Sequence, residues 1–306
     1  MNTDIAAALR LRRIRRLALA LFALSLIVVC VSAYVRLVAA GLGCDDWPAC
    51  YGQVLAGKAN LHVGIARILH RLAASTALLL AFMLAWRTLQ PQRLQPAARR
   101  ATQLLVLMIF LAAVGLWSSD PHRAFVSFIN ILGGLGLVSL SLRIVAAADA
   151  TVGAPPRNAL LTPGLGALLA TVLLGALIGA RYAAVSCATL PVCGSAWWPS
   201  ADGWAALNPM VVIAAALPPG DEGGVALHLL HRYCALSTLF LLGGAAHGAL
   251  RLPATRRPAV ALLVLLAVEV ALGVLTVASG FDLWLAIGHS VTAAMLTAVS
   301  LQLRES

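Results

Sequence analysis

Eight apolar runs constrain this chain more than any other feature. They lie near residues 17–37, 63–86, 101–118, 124–145, 160–181, 226–249, 258–279 and 283–303. A bilayer-spanning helix needs about 20 mostly apolar residues. In lipid, only a helix or a closed barrel satisfies every backbone hydrogen bond, so the pattern predicts an all-α membrane protein with eight transmembrane helices. Composition agrees, with 61% hydrophobic and 11% charged residues, where a soluble domain has about 45–50% and 25%. A disordered chain and a secreted disulfide scaffold are excluded on the same ground. The net charge of +11 would suit a nucleic-acid partner, but its distribution argues against one. Of the 22 basic residues, 21 are arginines in short clusters between apolar runs, the pattern that orients membrane proteins.

The clusters give the orientation. Arg10, Arg12, Arg13, Arg15 and Arg16 precede the first span. Arg87, Arg93, Arg99 and Arg100 follow the second, Arg143 and Arg157 the fourth, Arg251, Arg256 and Arg257 the sixth, and Arg304 the eighth. With both termini cytoplasmic, 15 of the 22 basic residues are inside, while Asp45, Asp46, Asp120, Asp202, Asp221, Glu222 and Asp282 are outside. The arginine-rich start resembles a signal peptide, yet its apolar run is too long and lacks a clear cleavage site. It is read as a retained helix. The expected location is a bacterial inner membrane, with lipid around the spans and the cysteine-containing loops on the periplasmic side.

The chain repeats itself. Arg36 ends the first span and is followed by Cys44 and Cys50; Arg181 ends the fifth and is followed by Cys187 and Cys193. The next span of each copy then carries a His-Arg pair, His70-Arg71 and His231-Arg232. The reading is two tandem four-helix bundles related by pseudo-two-fold symmetry, residues 1–145 and 159–306, joined by an Ala/Pro/Gly-rich cytoplasmic linker at 146–158. Cys30 and Cys234 fall inside spans and read as small apolar residues. The four loop cysteines face an oxidising compartment, which favours disulfides over zinc. Neither connectivity nor a redox role follows from the sequence.

Ionisable residues within spans are functional candidates. His231 and His289 fall at similar depth below the outer surface on two helices of one bundle, an arrangement suited to bis-imidazole ligation of a haem iron. The bland alternative is a hydrogen-bonded His pair. Arg71 and Arg232 could pair with haem propionates or simply snorkel to lipid headgroups. His228 shares a face with His231 as a supporting or entry-side residue. His62, His122 and His247 read as residues without a chemical role. Glu269, in mid-span, would serve a proton path or a polar haem edge, or be a neutral acid hydrogen-bonded between helices.

The run GLGCDDWPACYG at 41–52 resembles the first external loop of the heme A synthase family, which often reads G-L-x-C-P-D-W-P-x-C-x-G. The stretches at Leu229–Arg232 and Ala286–His289 resemble that family's C-terminal haem-ligand segments. The resemblance implies oxidation of a methyl group of haem O to the formyl group of haem A for terminal cytochrome oxidase. It implies a haem b held by His231 and His289 as iron ligands, and haem O as substrate in the N-terminal half. Expected partners are the haem O-producing enzyme, an electron donor and oxidase-assembly factors, with homo-oligomers also open. For Cys44 and Cys50 it implies disulfide or redox roles; the expected pairs are Cys44–Cys50 and Cys187–Cys193.

The N-terminal half departs from the family pattern. His70 is kept as the expected ligand of the substrate haem iron, but Arg67 stands where the family has Glu, and Asn130 where it has its second His. Asn is a poor iron ligand, so a haem on His70 would have an open face. Arg cannot deprotonate and cannot replace a carboxylate in proton transfer. The expected catalytic set is therefore His70, Arg67 and Asn130, with Arg67 available to clamp a propionate. The alternatives are a non-catalytic haem b electron carrier or oxidase-assembly factor with a degenerate N-terminal site, and a two-repeat transporter.

Overall fold

The computed structural model describes residues 2–42, 61–90, 94, 97–116, 122–147 and 158–304, with the backbone alone for 2–7. Its helices are α1 (Asn2–Ala39), α2 (Leu61–Leu89), α3 (Ala97–Gly115), α4 (Ala124–Ala147), α5 (Leu161–Ala180), α6 (Glu222–Ala249), α7 (Pro253–Ala278) and α8 (Leu283–Leu303). All eight are long and apolar enough to cross a membrane. Among the described residues there are no strands, only isolated bridges pairing Arg123 with Val212 and Cys193 with Ala196.

The helix ends differ from the apolar runs for local reasons. Helix α1 continues back through its arginines, which are good helix formers. Asp221 and Asp282 set the starts of α6 and α8, each accepting backbone N–H groups of the first turn, Gly224 for Asp221 and Trp284 with Leu285 for Asp282. This capping satisfies donors that no helical carbonyl reaches. Between α7 and α8 the chain reverses within a few residues through Gly280 (φ 73°) and Phe281 (φ 69°).

Helix α1 packs on α2 and α4, and α3 closes the ring between α2 and α4. In the second half α5 packs on α6, α6 on α7, and α7 on α8, with α8 also touching α5. The halves meet where α8 packs on α4 and α1, and where α4 packs on α5. Ile14, Leu21, Leu84, Leu104 and Ile144 fill the first half, and Leu168, Leu242, Leu262, Leu266 and Leu296 the second. Val29, Val138, Ala294 and Ala298 form the seam. Outward faces are apolar too: Leu79, Phe82 and Trp86 on α2 are all more than half exposed, as suits contact with lipid. With no hydrophobic drive between helices in lipid, close packing through small residues takes over. A Cβ on Gly164 would stand 2.7 Å from the Leu242 side chain, and one on Gly244 2.9 Å from Leu160.

One end of the molecule is capped. Ala40 and Leu42 after α1, Ala124 opening α4, Tyr182 and Val185 after α5, Ile213 and Phe281 form a single buried cluster. Residues 122–124 pair with 211–213, through Ile213 N–H to the His122 carbonyl (2.8 Å) and the His122 ring to the Ile213 carbonyl (2.6 Å). His122 thus ties the loop between α5 and α6 to the first half. Burial pushes the Tyr182 phenol above its usual range, opposed by Arg36 and by a hydrogen bond with Ser127.

The packing predicts a contrast within one helix. Gly164→Ala should lower stability by about 1–3 kcal/mol through overpacking. Gly166→Ala, which meets nothing within 4 Å, should leave stability equal or higher. Thermal unfolding in detergent, followed by circular dichroism, checks both.

Candidate functional site

His231 is the tenth residue of α6 (222 to 231) and His289 the seventh of α8 (283 to 289). The structure brings the two rings together, with centroids 6.3 Å apart and planes at 83°. Each ring is held the same way. The Nδ1 of His231 lies 2.9 Å from the Thr171 carbonyl on α5, and that of His289 lies 3.2 Å from the Glu269 carbonyl on α7. A carbonyl only accepts, so each Nδ1 carries the proton and each Nε2 keeps its lone pair.

Room for these approaches comes from two glycines, each four residues beyond the accepting carbonyl and so one turn along the same helix face. A Cβ on Gly175 would stand 3.2 Å from Cε1 of His231, and one on Gly273 3.1 Å from Cε1 of His289. The Thr171 hydroxyl also pairs with that of Thr238 at 3.0 Å, pinning α5 to α6 beside His231. On α7, the Glu269 side chain turns to the site as well, its Oε1 3.1 Å from Nδ1 of His289.

The donor set fits a haem iron. Metal–imidazole bonds of about 2 Å put the ring centres of two axial imidazoles roughly 6 Å apart. Orienting hydrogen bonds from the far ring nitrogen to a carbonyl are the usual support of a metal-binding His. Among the described residues no group of three or more His, Cys, Asp or Glu could hold a bare metal ion, and a porphyrin needs only the two axial donors.

The flanking residues are committed to the protein itself. The Arg232 guanidinium donates to the carbonyls of Thr189 (2.8 Å), Pro191 (3.1 Å) and Cys187 (3.3 Å). It thereby seats the loop closed by the Cys187–Cys193 disulfide, which packs on Leu229 of α6. His228 is buried, and its Nε2 donates to the Ala183 carbonyl at 2.9 Å, so its role is to hold the chain leaving α5. Arg181 is half-buried and donates to the carbonyls of Ala206 and Asn208. Burial lowers its pKa, and the Asp221 carboxylate pulls it back up. His247 is exposed in the last turn of α6.

In the first half, His70 is the tenth residue of α2 (61 to 70) and Asn130 the seventh of α4 (124 to 130), the same helical positions as His231 and His289. Both are half-buried, while Arg67 and Arg71 are exposed. Among the described residues no hydrogen bond joins His70 to Asn130. Cys44 and Cys50 lie outside the described residues.

Sequence reasoning missed Thr171, Gly175 and Gly273, and missed that Glu269 faces His289. The available signal was the glycine one turn after each accepting residue, which becomes readable only once the neighbouring helices are known.

A membrane protein with eight described spanning helices and a half-buried imidazole pair in its second half is the class that fold and site define. Residues 15–63 and 69–301 match the COX15-CtaA family of cytochrome oxidase assembly proteins, and the chain belongs to that family. It is 28% identical to a heme A synthase from Shewanella oneidensis, over 89% of this chain and 90% of that protein. It is 29% identical to a heme A synthase from Rhizorhabdus wittichii, over 44% of this chain and 36% of that protein.

The glycine notches generate a direct expectation. Gly175→Val or Gly273→Val should displace the facing imidazole, an overpacking cost of about 1–3 kcal/mol, hence roughly five-fold or more in haem affinity. Gly243→Val, at an open position on α6, should leave haem retention unchanged. Haem titration of the purified variants, followed by absorbance, is the check.

Proposed function

We propose that this protein is a heme A synthase-type membrane oxidoreductase, converting the methyl group of haem O to the formyl group of haem A. The imidazole pair of His231 and His289 carries the reading, since its spacing and tautomers suit bis-His haem b in the second half. A haem b held there supplies one-electron transfer. The chain's own residues do the rest. Thr171 and Glu269 fix the protonated nitrogens through their carbonyls, and Gly175 and Gly273 make room for the rings. Arg232 steadies the loop over His231, and propionate pairing there would share a guanidinium that already holds three carbonyls. Arg71, exposed one residue beyond His70, is the freer propionate candidate.

The first half, residues 1–145, is the substrate half in this reading, related to the second, 159–306, by a pseudo-two-fold axis with 146–158 as linker. The matching helical positions of His70 and His231, and of Asn130 and His289, support that relation. His70 would hold the iron of haem O, leaving Asn130 and Arg67 to line an open face. Both termini are cytoplasmic and the cysteine loops periplasmic in a bacterial inner membrane, with a second bridge at Cys44–Cys50. A haem O-producing enzyme, an electron donor and oxidase-assembly factors are the partners that this chemistry requires.

A specific observation favours a second reading. Six residues before Arg181 stands Gly175, whereas six residues before Arg36 stands Cys30. The first half thus lacks the notch as well as the second His and the Glu. A protein with only the haem b site would act as an electron carrier or oxidase-assembly factor.

Purification from cells that make haem O, with mass analysis of the extracted haems, separates the two. The synthase reading expects haem A or its hydroxylated precursor in the wild type, abolished in His70→Ala. Haem b alone, lost in His231→Ala and indifferent to His70→Ala, would overturn it in favour of the carrier.

A further inference from the structure

We propose that the Glu269 side chain is a positioning residue for His289, accepting from Nδ1–H alongside its own backbone carbonyl and so making His289 the stronger of the two axial donors. This rests on the bis-imidazole haem reading and adds an asymmetry to it.

Two oxygens of one residue converge on a single ring nitrogen. The Glu269 carbonyl lies 3.2 Å from Nδ1 of His289, and the side-chain Oε1 lies 3.1 Å from the same atom. The hydrogen bond of this N–H runs to the carbonyl, and Oε1 stands beside it within ion-pair distance of the same nitrogen. The other side-chain oxygen, Oε2, is buried with no hydrogen-bond partner among the described residues, and the Glu269 side chain is only 15% exposed. An acidic residue in mid-span is unfavourable unless it faces a partner within the bundle. Glu269 is the lone acid of α7, and the group its Oε1 faces is the imidazole.

Among the described residues His231 has no such second acceptor. Its Nδ1 is held by the Thr171 carbonyl at 2.9 Å, and the Thr171 hydroxyl is turned to Ala167 and Thr238 instead. The two imidazoles thus differ in what lies behind them, while matching in carbonyl, glycine and tautomer. A hydrogen-bond acceptor on the far nitrogen increases the basicity of the nitrogen that binds metal. A more basic axial ligand favours the oxidised, more positive iron, so the side chain lowers the reduction potential of the haem at this site.

The test is the midpoint potential of the haem in purified full-length protein, for the wild type, Glu269→Leu and Glu269→Gln. Leucine removes the acceptor in an apolar setting, and glutamine keeps an oxygen able to accept. The expected result is a potential raised in Glu269→Leu and returned toward the wild-type value in Glu269→Gln, with bis-His absorbance kept in both. Should leucine cost haem outright, recovery of haem content in the glutamine variant supports the assignment equally. Wild-type potential and full haem content in both variants would overturn it, as would loss of haem from both. The underlying haem reading fails separately: it is contradicted if the wild type binds no haem b, or if His289→Ala keeps an unchanged axial spectrum.

Discussion

Two backbone carbonyls, those of Thr171 and Glu269, govern the arrangement of the second half. Each already belongs to a transmembrane helix, where a carbonyl is engaged with the N–H four residues on. To accept an imidazole as well, it must be reached from the side. The helix can open that approach only if the next residue on that face carries no side chain. Gly175 and Gly273 meet this condition. The consequence is chemical as well as steric: with Nδ1 protonated on both rings, both Nε2 atoms keep a lone pair.

The rest of the structure keeps these helices in register. Asp221 and Asp282 fix where α6 and α8 begin, and so the depth of His231 and His289. The shared cluster at the capped end joins the termini of α1, α4, α5 and α7, which limits sliding of one half against the other. Arg232 follows His231 directly in sequence and grips the disulfide loop, so the positions of the loop and of the His231 ring are mechanically coupled. The Thr171–Thr238 hydroxyl pair serves the same end deeper in the bundle. A site made of two side chains from different helices needs such restraints, because a shift of one helical residue would carry a ring about 1.5 Å along the axis and turn it to another face.

The eight spans were legible because lipid imposes length and apolarity on every one of them. The His pair was legible because polar residues in such spans stand out and their distance from the helix ends can be counted. What lay behind the rings was not. Thr171, Gly175 and Gly273 are ordinary residues in ordinary spans, and only the packing of α5 on α6 and of α7 on α8 gives them meaning. Glu269 was visible as an anomaly, but its partner is twenty residues away on the next helix. Arg232 read as either a propionate partner or a snorkelling residue, and its contacts with three loop carbonyls are with backbone atoms that leave no trace in a residue pattern. The first half resists for a different reason: Arg67 and Asn130 change the chemistry expected there, and among the described residues His70 has no carbonyl or notch comparable to those of His231.

In the proposed reading, His231 and His289 hold one haem iron between near-perpendicular rings. Electron paramagnetic resonance of the oxidised, purified protein at low temperature tests it most directly. Axial imidazoles with crossed planes give a strongly anisotropic low-spin ferric signal, whereas parallel ones give a rhombic signal. The account predicts the strongly anisotropic signal, absent from His231→Ala and from His289→Ala. A wild type with no low-spin haem at all, or a low-spin signal that survives either substitution unchanged, would contradict it.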